Sequence, residues 1–199
     1  MIASLRGKLV RKAPTEIVID IGGVGYAVHI PLSTYEQLGE VDTPQNLLTH
    51  LHVREDALQL YGFATEAERH MFRLLISVSG IGPRMAQGIL SGASVSDLQT
   101  NIMHGNLAAL TSIPGIGKKL AERLVVELRE KVARKGEAGI LSSGPRSGVE
   151  SEAILALISL GYSRGMAEKA VQQALKAIRG TSCSIEELIK TALRAGAQE

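Results

Sequence analysis

Through the first 63 residues, apolar positions recur at every second residue and are punctuated by glycine, the pattern of strands with one buried face. Ile17, Ile19 and Ile21 share one face, Gly22-Gly23 supplies a turn, and Tyr26, Val28 and Ile30 share a face of the next segment. Leu47 to Val53 and Leu58 to Phe63 predict a further pair, joined across Arg54-Glu55-Asp56-Ala57. Five or six short strands in about 60 residues predict a small closed barrel, because closure removes the edges such strands would otherwise expose.

At Thr65 the grammar changes to that of helices. Thr65-Glu66-Ala67-Glu68 predicts a capping box, with the Thr side chain accepting from the amide three residues on and Glu68 reaching back. Ala67, Met71, Leu74, Leu75 and Val78 then fall on one stripe, and Ser94 to Asp97 repeats the capping pattern. Leu120, Leu124, Val125, Leu128 and Val132 form a second stripe, with Arg123, Lys131, Arg134 and Lys135 off it; the last three fit an ordinary solvated face as well as a ligand face. Residues 136–149 hold four Gly, three Ser and one Pro and predict a flexible tether spanning roughly 20 Å as a coil. Beyond it the pattern predicts three short helices: Glu150 to Leu160, Met166 to Ile178 after a Gly161-Tyr162 turn, and Ile185 to Leu193, the last opened by a capping box from Ser184 to Glu187 and closed near Gly196.

One short pattern occurs twice, 35 residues apart: Gly80-Ile81-Gly82-Pro83-Arg84-Met85-Ala86 and Gly115-Ile116-Gly117-Lys118-Lys119-Leu120-Ala121. In each, glycines let the backbone turn tightly and bring its N–H groups close to a ligand. The helix that follows adds unpaired N–H groups and the positive end of its dipole, which together favour a phosphate oxygen. Ile81 and Ile116 are expected to plug each turn into the core, while Arg84, Lys118, Lys119 and Arg123 add positive charge around it. A single such turn is a weak signal; its duplication with the same Gly, Ile and Ala offsets points to phosphate-backbone binding. The double pattern resembles the helix-hairpin-helix motif of proteins that bind DNA without reading sequence. A nucleotide-hydrolysing phosphate loop is excluded at Gly117-Lys118, because Ser112 stands where that loop needs Gly and Lys119 where it needs Ser or Thr.

Net charge is only +2, but its distribution is uneven. Residues 1–64 hold five Lys/Arg against seven Asp/Glu, residues 65–135 ten against six, and residues 136–199 seven against seven, so the excess sits with the glycine turns. The one cysteine, Cys183, excludes an intrachain disulfide, points to a cytoplasmic location and reads as a core filler. No leader pattern opens the chain and no run approaches the length of a membrane span. Nothing in the sequence calls for a cofactor or a metal.

The expected fold is therefore α+β and multidomain: an OB-like β-barrel over 1–64, an all-α tandem helix-hairpin-helix domain over 65–135, the tether, and a three-helix bundle over 150–199. Glu55 and Asp56 fall on a hairpin turn of the barrel. Adjacent carboxylates there suit a solvated turn, a Mg²⁺ or acid/base pair short of further carboxylates, or fixed negative charge that repels DNA phosphates and holds strands apart.

The order of these parts, with His52-Val53-Arg54-Glu55-Asp56-Ala57 leading to Leu60-Tyr61-Gly62-Phe63, Leu5-Arg6-Gly7, Gly22-Gly23-Val24-Gly25-Tyr26 and Ile113-Pro114-Gly115-Ile116-Gly117-Lys118-Lys119, resembles the RuvA family over essentially the whole chain. These are the Holliday-junction-binding subunits of bacterial branch-migration complexes. The resemblance implies a non-catalytic homotetramer, or two tetramers face to face as an octamer, that holds a four-way junction open. It implies that Gly80, Gly82, Gly115 and Gly117 present amides to phosphates, assisted by Arg84, Lys118, Lys119 and Arg123, and that Glu55 and Asp56 form a central acidic pin. It also implies that the last bundle docks the hexameric ATPase RuvB through Leu157, Leu160, Gly161 and Tyr162, with the resolvase RuvC a further partner. The rival from another class is a helix-hairpin-helix DNA glycosylase/lyase using Lys119 as a Schiff-base lysine, but no Asp occurs between Asp97 and the C-terminus to assist it. A general duplex binder is the other alternative, and it leaves the acidic turn without a purpose.

Overall fold

The computed structural model describes residues 1–140, 145–178 and 184–196. The chain divides into two compact units, Met1–Ala133 and Arg134–Glu199.

In the first unit, strands β1 (Ser4–Ala13), β2 (Glu16–Ile21), β3 (Val24–His29), β4 (Pro44–Val53) and β5 (Leu58–Phe63) close into a barrel in the order β1-β2-β3-β5-β4. All pairings are antiparallel except β3 with β5, where Val28 faces Leu60 and His29 faces Tyr61. This is the OB-like barrel expected from the alternating pattern. Its interior is filled by Leu5, Leu9, Ile17, Ile19, Val28, Ile30, Leu47 and Leu60, with Ile21 and Tyr26 packed at the margin. A short helix, α1 (Leu32–Gln37), connects β3 to β4 and has no signature in the sequence pattern.

Helices α2 (Glu66–Ile76), α3 (Pro83–Gly92), α4 (Val95–His104), α5 (Leu107–Thr111) and α6 (Lys118–Ile140) follow. The capping box at Thr65 is present in full, and Ser94 caps α4 by accepting from the Asp97 amide. Asn106 caps α5, which sequence reasoning missed because five residues are too few to express a helical period. The helices share a second core that β5 enters from its outer side: Tyr61 and Phe63 pack with Phe72, Met71 and Leu75, while Leu60 on the opposite face belongs to the barrel interior. The expected boundary after residue 64 thus falls inside one compact unit.

Two polar groups fasten the barrel to these helices. The Glu68 carboxylate is 4% exposed and accepts from Thr34 Oγ1 at 3.1 Å, from the Thr65 amide at 3.2 Å and from Ser33 Oγ. Gln87 Nε2 on α3 donates to the carbonyl oxygens of Ile30 at 2.7 Å and Thr15 at 3.1 Å. Both residues place a buried polar atom where only specific partners satisfy it, which fixes the angle between the two layers.

In the second unit, α7 (Pro145–Ser159), α8 (Arg164–Ala177) and α9 (Ile185–Gly196) pack as the expected three-helix bundle around Ala153, Leu157, Ala167, Val171, Leu188 and Ala192. The tether expectation needs correction. Helix α6 continues through Ile140 and α7 begins at Pro145, so only 141–144 of the segment lie outside the described residues. Two helix-forming residues, Glu137 and Ala138, sit between glycines that each weaken a helix by only about 1 kcal/mol, and Pro145 suits a first helical position. Cys183, and the side chains of Arg134 and Lys135, lie outside the described residues.

Candidate nucleic-acid interface

The two glycine turns have one backbone geometry. In the first, the Ile81 amide donates to Val78 O at 3.1 Å and the Ala86 amide to Gly82 O at 3.0 Å. In the second, 35 residues on, Ile116 donates to Ile113 O at 3.0 Å and Ala121 to Gly117 O at 2.9 Å. The leading glycines match as well, with φ of +95° at Gly80 and +90° at Gly115. Ile81 and Ile116 are 5% and 4% exposed, so both plug their turns into the shared core as expected. Ala86 and Ala121 are fully buried, which lets each following helix lie close against that core.

The second glycine of each pair is in a different situation. Gly82 has an ordinary φ of −86°, and Gly117 is not among the glycines with positive φ. A Cβ added at either would meet nothing within 4 Å. Neither conformation nor internal packing requires glycine at these two positions. What the missing Cβ provides is open space directly over the helix start, where a ligand can reach the backbone.

The helix starts themselves are open. Side chains of Thr65, Ser94, Asn106 and Ser163 cap α2, α4, α5 and α8. By contrast α3 has no side-chain cap, and Gly117, which precedes α6, has no side chain to supply one. The amides of Arg84 and Met85 in α3 and of Lys118 and Lys119 in α6 are therefore left for an external acceptor, whereas the Leu120 amide already donates to Gly117 O at 3.0 Å; an anion is the acceptor the helix dipoles favour. The copies differ in one respect: Pro83 removes an amide at the start of α3, whereas Lys118 keeps its own in α6.

The basic side chains divide into two groups. Lys118 and Lys119 are exposed at the start of α6, and neither forms an ion pair among the described residues. Arg123 is half-exposed and already engaged: its Nη1 donates to Ser79 O at 2.7 Å and its Nε lies 3.8 Å from Glu127. Lys131 Nζ lies 3.4 Å from Ser77 Oγ, so α6 reaches the first turn at two points, and Lys131 is more than the solvated face the sequence allowed. Arg84 lines an open cavity of about 400 Å³ with Thr15, His29, Gln87 and Ser91, at the seam between barrel and helices. Burial raises the Tyr61 hydroxyl above its ordinary pKa while the Arg84 charge opposes that shift.

The acidic turn is a tight hairpin. Arg54 and Ala57 exchange backbone hydrogen bonds at 2.9 and 3.4 Å, which leaves Glu55 and Asp56 as the two residues of the loop. Both are exposed, and among the described residues neither has an ion-pair partner. No group of three or more His, Cys, Asp or Glu among the described residues is arranged to hold a metal ion.

The partner-binding expectation in the bundle needs one correction. Leu157 is fully buried in the bundle core and offers no surface. Leu160 is 60% exposed, Gly161 turns the chain with φ of +100°, and Tyr162 packs partly against the core. The structure adds Leu155, Ile158 and Met166 as exposed apolar residues, which the sequence pattern could not separate from core positions on helices that are apolar on several faces. Lys119, the lysine that the glycosylase/lyase alternative would use, is exposed at the start of α6. No helix among the described residues is long and apolar enough to cross a membrane.

Comparison with known proteins agrees with this organisation. Residues 1–62 match the family described as RuvA N terminal domain, residues 72–130 the SAM-like helix-hairpin-helix tandem, and residues 148–195 the RuvA C-terminal domain. A relative from Geobacter sp. (strain M21) is 46% identical over 199 residues, covering 98% of each chain. One from Syntrophobacter fumaroxidans is 47% identical over 197 residues, again covering 98% of each. One from Geobacter sulfurreducens is 44% identical, covering 98% of this chain and 100% of its own. All three are described as Holliday junction branch migration complex subunit RuvA.

Proposed function

The chain belongs to the RuvA family, and from that premise we propose that it binds four-way DNA junctions by shape and serves as the DNA-holding subunit of a branch-migration complex. One observation carries the reading: two turns repeat the same hydrogen bonds, positive φ and buried plugs at a fixed offset, each opening onto an uncapped helix start with a glycine that nothing inside the chain requires. Two phosphate sites on one rigid core fit two points on a DNA backbone.

In this reading Gly80, Gly82, Gly115 and Gly117 offer backbone amides to phosphates, and Lys118 and Lys119 neutralise charge, with Arg84 and Arg123 at the margins. Glu55 and Asp56 are a pin that repels phosphates where strands part. Four copies arranged cyclically, singly or as two tetramers face to face, give four arms four equivalent sites. The chain itself performs no chemistry. The bundle docks a RuvB-type hexameric ATPase through Leu155, Ile158 and Leu160 beside the Gly161-Tyr162 corner, and the motor supplies hydrolysis. The junction resolvase RuvC is a second protein partner, and the assembly works in the cytoplasm.

The test is a competition assay on the purified protein, without nucleotide or partner, between a fixed four-way junction and linear duplex of the same sequence across a salt series. A junction preference of about a hundredfold or more is expected. Equal affinity for both would replace this reading with that of a general duplex binder.

A further inference from the structure

The hairpin that carries Glu55 and Asp56 projects beyond the barrel. Strand β1 pairs with β4 only as far as Leu48, and β3 pairs with β5 only at Leu60 and Tyr61. From His52 to Val53 and from Leu58 to Gln59 the two strands pair only with each other. Alternation along β4 places Leu47, Thr49, Leu51 and Val53 on one face, which is the inner face of the barrel at Leu47 and Thr49. The same face of β5 carries Leu60 and Leu58. Burial falls steeply along it: Leu47 is fully buried and Leu60 9% exposed, whereas the directly opposed pair Val53 and Leu58 is 62% and 73% exposed.

A solvated two-stranded ribbon is ordinarily polar on its open faces. Here it carries an aliphatic cross-strand pair one step below two unpaired carboxylates, and neither Val53 nor Leu58 packs against the barrel core. We propose that Val53 and Leu58 form an apolar wedge that takes the faces of nucleobases at the point where junction strands separate. The proposal rests on the junction-binding reading above and assigns the flanks of the pin a role distinct from that of its tip.

The chemistry of DNA selects this occupant. Glu55 and Asp56 repel the phosphates, so the part of DNA admitted beside the ribbon is its uncharged part. Base faces are apolar, and aliphatic side chains placed between base steps unstack them. The tip thus keeps backbones apart, and the flanks compensate bases for the stacking they lose when a pair opens.

The experiment uses the full chain with a fixed four-way junction carrying 2-aminopurine at the crossover pairs, together with unlabelled linear duplex as competitor. Wild-type protein at saturation is expected to raise the fluorescence of the crossover label. The variant Val53→Thr with Leu58→Thr keeps strand-favouring side chains at exposed positions and removes the aliphatic surface. It is expected to bind the junction within about threefold of wild type while giving a fluorescence rise smaller by at least about twofold. Leu58→Thr alone is expected to fall between the two. An undiminished rise at unchanged affinity overturns the wedge and leaves the pair as exposed surface. A lower sedimentation mass of the DNA-free variant overturns it in favour of a contact between copies of the chain. Loss of junction preference in the wild type is a separate outcome, which removes the junction-binding reading itself.

Discussion

The Arg123 guanidinium donates through Nη1 to the carbonyl oxygen of Ser79 at 2.7 Å, so the helix that follows the second glycine turn holds the backbone of the first. The two turns are thereby fixed relative to each other as well as to the core. Arg123→Ala is expected to lower stability by about 1 kcal/mol, the usual worth of such a bond, and to weaken junction binding with little change in its salt dependence. Lys118→Ala with Lys119→Ala is expected to do the opposite, leaving stability unchanged while the slope of log K against log salt falls by about two. Urea denaturation and a salt titration on each variant separate the two roles; an Arg123→Ala slope as flat as that of the lysine variant would make Arg123 a direct phosphate contact.

The glycines of each turn should respond differently to a methyl group. Gly80→Ala and Gly115→Ala force a Cβ into φ of +95° and +90° and are expected to cost on the order of 1–3 kcal/mol of folding stability. Gly82→Ala and Gly117→Ala meet open space and are expected to change stability by less than about 1 kcal/mol. The latter pair should nevertheless weaken junction binding strongly, because the methyl group occupies the approach to the amides. Thermal melts beside binding curves provide the check, and normal affinity in the Gly82 and Gly117 variants would mean that no ligand approaches there.

Glu68 satisfies hydroxyls from the barrel and the cap of α2 at once. Its replacement by Ala leaves Ser33, Thr34 and Thr65 without their common acceptor and is expected to destabilise the chain by about 2–4 kcal/mol. Glu68→Gln keeps the shape and one acceptor oxygen and should cost distinctly less. Denaturant midpoints of the two variants give the comparison directly.

The Glu55 and Asp56 carboxylates make a salt-sensitive prediction under the proposed role. Glu55→Gln with Asp56→Asn removes repulsion worth on the order of 1–4 kcal/mol per charge pair at contact distance, so junction affinity should hold or rise at low salt and the difference should fade as salt increases. Opening of the crossover pairs, read by the same fluorescent base, should change with it. A fall in thermal stability with unaltered DNA behaviour would reduce the turn to ordinary solvated surface.

His50 gives a pH dependence of stability. Partial burial, then the nearby charges of Arg73 and His52, hold its pKa below the ordinary 6.5. The unfolded chain therefore takes up a proton at a higher pH than the folded chain does. Stability contributed by neutral His50 is present in full above about 6.5, declines as pH falls through that value, and stops declining once the folded-state pKa is passed. His50→Gln should flatten this part of the stability profile measured by urea unfolding between neutral and mildly acid pH; an unaltered profile would assign the slope to another group.

Local periods carried much of this architecture. Period-two alternation located β2 through β5, capping boxes located the starts of α2 and α4, and the repeated Gly-Ile-Gly located both turns, because each of these signals depends on residues close together in the chain. The element α1 escaped because six residues after Pro31 show no stripe, and the helical ends beside 141–144 escaped because glycine content weighs against a helix without forbidding one. Leu157 and Leu155 read alike in sequence, yet one is fully buried and the other 63% exposed.

What the sequence determined by itself was the inventory: a barrel, two Gly-Ile-Gly turns, an acidic hairpin and a helical bundle, all written in spacings shorter than a helical repeat or two. Tertiary structure alone decided which charges remain free, since Arg123 meets Ser79 across 44 residues and Lys131 meets Ser77 across 54. It alone decided that β4 and β5 outrun their neighbours, leaving Val53 and Leu58 exposed on a face that is core elsewhere. Alternation specifies which side of a strand a residue faces, but whether another element covers that side depends on where distant strands end.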